Sequence, residues 1–206
     1  MVIVICFLAA FFFSFIGSIP PGTINLTVIQ MGLNEKFKDA LWFSVAAGLI
    51  EYPYAWIAIA FEKMLTASPW VNHHIQLLTG IVLVFMGILG LWPSSSKPIK
   101  SPTMLSGGFA HGIILSILNP LAVPYWIGMT AYLKQQDWID LSTPFQLHAF
   151  LFGVALGSTS LLIVLIILSK NIASSFATNP IVKKAPAVIM LLLGVYSLLT
   201  YIVHLE

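Results

Sequence analysis

Arginine is absent from the 206 residues, cysteine occurs once, at Cys6, and charged residues make up only 8% of the chain. Each shortage closes off a class of protein. A soluble domain carries about 25% charged residues, so this chain lacks the polar surface it would need to remain in water. One cysteine allows no disulfide within the chain, no cysteine-based metal site and no dithiol relay. A net charge of +2, split along the sequence, gives no footing for nucleic-acid binding. No cofactor and no resident metal are expected.

What is present is apolar. Hydrophobic residues reach 59% and the mean hydropathy is +0.97, which makes the expected class an all-α integral membrane protein. Six apolar segments can be marked: Val2–Gly32, Asp39–Phe61, Ile75–Trp92, Met104–Leu133, Phe145–Leu168 and Ala185–Val203. The N-terminal run lacks a basic leader and a small-residue cleavage site, so it reads as the first span. The links are short, and the most linker-like stretch, 93–103, divides the chain near its middle. The expected organisation is one transporter domain over 1–206, with a first three-helix repeat over 1–92 and a second over 104–206.

Two of these segments are interrupted. Ser18-Ile19-Pro20-Pro21-Gly22-Thr23-Ile24-Asn25 breaks the first, and Leu118-Asn119-Pro120-Leu121-Ala122-Val123-Pro124 breaks the fourth. A continuous helix cannot carry such prolines without losing backbone hydrogen bonds, and in a bilayer the freed groups must find other partners. Each half thus starts with a broken segment, continues with a glycine-containing polar one and closes with a plainer one. With three spans per half, the second half enters from the opposite face, predicting a 3+3 inverted repeat.

The lysines predict orientation. Lys36, Lys38, Lys97, Lys100, Lys170, Lys183 and Lys184 fall in loops on one face, and only Lys63 and Lys134 on the other. The positive-inside rule then assigns the lysine-rich loops and the 93–103 linker to the cytoplasm, with both termini outside an inner membrane.

Glu51 is the most informative single residue. It lies about 18 Å along the second segment at 1.5 Å per residue, near the middle of a hydrocarbon core about 30 Å thick. An acidic side chain there costs about 2.5–3.5 kcal/mol on insertion scales and normally faces a cavity or a partner. Ser44, Ala47, Gly48, Ala55 and Ala58 share its helical stripe, and Pro53 follows two residues on. Glu51 reads as a ligand for a cationic group or a proton carrier, or else as a protonated acid bonded to another helix.

The breaks offer the opposite charge. Asn119-Pro120 reads as an N-cap followed by proline at the first helical position. Pro21-Gly22 would start a second half-helix, with Thr23 and Asn25 in its first turn. Two helix N-termini meeting near the midplane could cradle a carboxylate, while Glu51 faces an ammonium group. Ser158 and Thr159 occupy the place in segment five that corresponds to Glu51, and would line the cavity or bond back to their own helix. His111 would relay protons or make an interhelical hydrogen bond. Gly153 and Gly157 form a GxxxG packing face.

At these positions the chain resembles the LysE/RhtB family of amino-acid exporters. The resemblance rests on Pro21-Gly22-Thr23-Ile24-Asn25, on Gly48 with Glu51, and on Leu118-Asn119-Pro120-Leu121. Three departures stand out: Thr23 replaces a second proline, Leu121 replaces a lysine, and the acid often seen in segment five is absent, with Ser158 and Thr159 nearby. The resemblance implies a proton-driven secondary carrier for amino acids or similar small solutes, embedded in the bilayer and open to homo-oligomerisation. A metal-cation exporter and an intramembrane serine hydrolase are the competing readings. The first would want a cluster of acids or soft ligands. The second would want a base placed beside Ser158 or Ser160, for which His111 and His148 are the candidates.

Overall fold

A computed structural model of the protein describes residues 1–19, 22–91, 107–119, 121–178 and 180–203. All regular structure among them is helical: α1 Val2–Gly17, α2 Thr23–Leu33, α3 Phe37–Thr66, α4 Pro69–Leu91, α5 Gly108–Ile117, α6 Ala122–Gln135, α7 Pro144–Thr178 and α8 Pro180–Val203. Pro20, Pro21, Pro120 and the 93–103 linker lie outside the described residues. Among the described residues two helices are long and apolar enough to cross a membrane, α3 and the Pro144–Lys170 part of α7. A third span arises if α5 and α6, bent by 68°, are taken together. The shorter apolar helices Val2–Gly17, Thr23–Leu33, Gln76–Ile88 and Ala187–Val203 overlap the remaining expected segments.

The breaks fall where proline chemistry puts them. The Ser18 N–H donates back to the Ser14 carbonyl and the Ile19 N–H to Ile16, and α1 stops before Pro20. Helix α2 restarts after Gly22, whose extended backbone (φ −106, ψ −177) makes the N-cap. At the second break the Leu118 N–H donates to the Ile114 carbonyl and the Asn119 N–H to Ser116. Helix α6 starts at Ala122 with Leu121 as N-cap, two residues later than the Asn119-Pro120 expectation. The Asn119 carboxamide still accepts from the Leu121 N–H at 3.3 Å, an Asx-type contact across the turn.

Helices α2 and α6 also end alike. Glu35 and Asp137 have φ of 59° and 55°, the only non-glycine positive values among the described residues. Around Glu35, the Lys36 N–H donates to the Met31 carbonyl and the Glu35 N–H to Gly32. Around Asp137, the Trp138 N–H donates to Leu133 and the Asp137 N–H to Lys134. Both are Schellman closures, a motif that ordinarily uses glycine at the left-handed position.

Packing joins the two halves crosswise. Helices α1 and α2 lie on α7, α5 and α6 lie on α3, α3 meets α7, and α4 pairs with α8. The expected GxxxG face is one of these joints. A Cβ at Gly153 would press on Ala10 and the Phe7 carbonyl, and one at Gly157 on Ser14 and the Phe11 carbonyl. That closeness lets the Ser14 hydroxyl donate to the Val154 carbonyl at 2.7 Å. One apolar core gathers α1, α3, α4, α6 and α7 around Trp126, Met129 and Phe150. A second joins α2, α3 and α7 around Phe43, Val28 and Leu162.

The lead-in to α7 is fixed by a capping box. Thr143 and Gln146 bond reciprocally, side chain to backbone N–H, with Pro144 at the first helical position. Asp140 accepts from the Ser142 N–H and hydroxyl, and these bonds hold its exposed carboxyl below the ordinary range. The lone thiol of Cys6 donates to the Asp140 carbonyl at 3.2 Å, tying α1 to this loop.

Candidate functional site

Glu51 sits halfway along α3, half-buried, on a stripe whose other members Ser44, Ala47, Ala55 and Ala58 are at most 1% exposed. The smallness of that stripe is used. At Gly48 a Cβ would collide with the Thr159 side chain and press on the Ala155 carbonyl of α7. Pro53 leaves the Leu49 carbonyl, two residues before the acid, without its i+4 donor.

The partner of Glu51 is Trp126, whose indole N–H donates to the Glu51 carboxyl at 3.1 Å. Trp126 is 1% exposed and is clamped edge-on between Tyr125 and Phe150. Its neighbour Tyr125 donates its hydroxyl to the Phe13 carbonyl at 2.7 Å, reaching α1 one turn before the first break. Gly17 packs directly on the same ring. On the other side Tyr54, one turn along from Glu51, donates to the Ile117 carbonyl at 2.6 Å, the last residue of α5 before the second break. Three aromatic side chains thus connect one acid to both interruptions.

The other expected residues divide. The Asn25 amide donates to the Ser18 carbonyl at 2.7 Å and reaches the Ile19 carbonyl at 3.4 Å, so it supplies hydrogen bonds to groups released by the break. Gly22 and Thr23 are exposed, and nothing crowds a Cβ at Gly22. Thr159 bonds back to Ala155 at 2.8 Å within its own helix and touches the Ser44 carbonyl at 3.5 Å. Ser158 is buried on α7.

His111 is 2% exposed and packs edge-on against Phe43, with neither ring nitrogen partnered. Phe43 precedes Glu51 by eight residues, about 12 Å of helix rise, so His111 belongs to a different level of the bundle. Among the described residues no three His, Cys, Asp or Glu side chains come together. His148, one of the bases considered for a hydrolase, is occupied by stacking and hydrogen bonding with Tyr52.

Tyr54, Tyr125 and Trp126 were not singled out from the sequence. A usable signal existed: Pro124-Tyr125-Trp126 places two polar-tipped aromatics in the first turn after a predicted break, where an intramembrane acid needs donors.

No solved structure matches the chain. ChpE of Pseudomonas aeruginosa, named a chemotactic transduction protein, is 26% identical over 123 residues, covering 58% of this chain and 61% of ChpE. YcgF of Bacillus subtilis, named for amino acid efflux, is 28% identical over 117 residues, covering 54% of this chain and 56% of YcgF. The matches therefore span less than two thirds of either relative. The family model of the LysE type translocators matches residues 15–201, which takes in both breaks, Glu51 and Trp126. The chain belongs to the LysE type translocator family.

Proposed function

We propose that the protein is a secondary carrier that exports an amino acid or a similar small zwitterion by alternating access, coupled to protons. The observation that carries this reading is the carboxyl of Glu51, held by Trp126 where aromatic bridges run to both helix breaks. An acid placed there can exchange a proton or a substrate ammonium. The half-helix N-termini after Gly22 and Leu121 carry the positive ends of their dipoles and suit a carboxylate. Thr23 and Asn119 line those ends, Pro21 and Pro120 make the breaks, Asn25 braces the first, and Ser158 and Thr159 form the α7 side. His111 serves proton passage at the α5 level.

The reading includes a 3+3 inverted repeat. Three features support it: breaks 100 residues apart in sequence, crosswise packing of each broken segment on the middle helix of the other half, and matched Schellman closures at Glu35 and Asp137. The efflux name of YcgF supports the direction, and the lysine-rich loops belong on the cytoplasmic side.

Glu51→Gln is the direct test. Reconstituted in liposomes under an imposed pH gradient, it should fold normally and lose proton-coupled transport of amino acids. Wild-type transport by that variant would remove Glu51 from the mechanism.

A further inference from the structure

Eleven residues beyond Glu51 on the same stripe of α3 lies Glu62, 4% exposed, in an ion pair with Lys134 of α6. Neither is explained by the site around Glu51. Residues 51, 55, 58 and 62 repeat at helical spacing on α3, as 126, 130 and 134 do on α6. The helices run side by side in the same direction, with Glu51–Trp126 as one contact and Glu62–Lys134 as the next. The first lies about 16 Å from the second along α3 and about 12 Å along α6 at 1.5 Å per residue.

The space between these two contacts is dry. Ala55, Ala58, Ile59, Met129 and Leu133 are each at most 2% exposed, and Leu83 of α4 closes the layer. Thr130, the polar residue within it, spends its hydroxyl on the Trp126 carbonyl of its own helix. Beyond the plug the polar contacts continue: Gln135 donates to Thr79 of α4 at 3.3 Å, while the buried Gln135 Oε1 accepts from nothing.

We propose that the Glu62–Lys134 pair is the latch of a gate between α3 and α6, closed in this structure, that must open for solute to leave the Glu51 site toward that end. This rests on the alternating-access reading given above. A carrier must seal each end of its path in turn, and an apolar plug alone closes well but loses all of its contact energy when water enters. A charge pair changes that balance. Paired and dry, each ion compensates the other; apart and wet, each is hydrated; only the half-broken state is strongly disfavoured. Such a contact is stable in two arrangements and unstable between them, as a gate requires. The exposures fit a path for that wetting: the Lys134 side chain is 25% exposed and Glu62 5%. Lys134 also lies within electrostatic reach of Asp140, in the exposed loop that leads into α7. On leaving Glu62, its ammonium group has a carboxylate to move toward.

Accessibility of the plug provides the test and needs no substrate, so its outcome is independent of what the carrier exports. In a Cys6→Ala background, Ala55→Cys is placed in the dry layer and reacted with a membrane-impermeant maleimide from each side of the bilayer. With the native pair, labelling from the Lys134 side should be slow. Glu62→Gln should raise that rate by roughly tenfold, equivalent to moving a two-state balance by one decade. The exchanged pair Glu62→Lys/Lys134→Glu should restore protection. The apolar pair Glu62→Met/Lys134→Met should label more slowly than the native protein and transport less, because closure no longer competes with hydration. These last two variants keep the test decisive if the single substitution fails to fold. Equal labelling in all folded variants would overturn the latch, as would an apolar pair that transports at the native rate.

Discussion

At the scale of the residue, the acid and its indole partner decide most. A buried acceptor that loses its donor costs about 1–3 kcal/mol, and Trp126 provides the N–H donor to Glu51 from a ring locked by Tyr125 and Phe150. Trp126→Phe retains the stacking and removes only the N–H. It should lose no more than about 1–3 kcal/mol of stability in detergent and still fold, while transport falls roughly tenfold, the rate equivalent of about 1.4 kcal/mol. Transport at the native rate would show that the N–H has no part in the site. The acid itself was legible in the sequence because a charge in the middle of an apolar run is conspicuous. Its partner was not, since tryptophan is common in membrane helices and only the fold brings Trp126 across from a segment 75 residues away. Asn25 shows the converse. A polar residue in the first turn after a break looked like a ligand, but its amide bonds the Ser18 and Ile19 carbonyls that the break released.

At the scale of the element, breaks and ends follow local rules, and the places where the rules strain are informative. Glu35 and Asp137 occupy left-handed backbone that costs an L-residue about 1–2 kcal/mol and glycine almost nothing. Glu35→Gly and Asp137→Gly should each raise stability by up to about 1 kcal/mol, measured as unfolding midpoints in detergent. Glu35→Gly gains less, because it also removes the exposed 2.8 Å pair with Lys170, and exposed pairs contribute little. Destabilisation of Asp137→Gly would mean that the Asp137 side chain carries an unseen contact. Element ends were the least legible part of the sequence. The second segment was expected to stop at Phe61 and the fourth at Leu133, yet α3 runs to Thr66 and α6 to Gln135. Each expected boundary fell one residue short of a charged side chain. Hydropathy scores Glu62 and Lys134 separately as signs of water, whereas in the fold they neutralise one another inside the bundle.

At the scale of the whole molecule, the halves are interlocked: neither broken segment packs chiefly within its own half. The joint between α1 and α7 depends on the absence of side chains at Gly153 and Gly157. Gly157→Leu would drive a side chain into Ser14 and the Phe11 backbone and displace the Ser14–Val154 bond. Overpacking of this kind costs about 1–3 kcal/mol or more. The variant should lose yield and run as aggregate on size exclusion, whereas a monodisperse, active Gly157→Leu would show that α1 can shift without consequence. The GxxxG spacing announced this joint, but the pairing of helices across the halves emerges only in three dimensions.

Tyr125 gives this interlock a mechanical meaning. Its hydroxyl grips the Phe13 carbonyl and its ring lies on Gly17, so the opening half-helix of one broken segment is fastened to the closing half-helix of the other. If the halves rock as the proposed alternating access requires, each break would serve as a pivot and this hydrogen bond as a tie between the two half-helices. Trp126, the next residue along, rests its indole on Glu51. On that reading, a proton or solute arriving at the Glu51 carboxyl would act one residue away from the tie that joins the two broken segments.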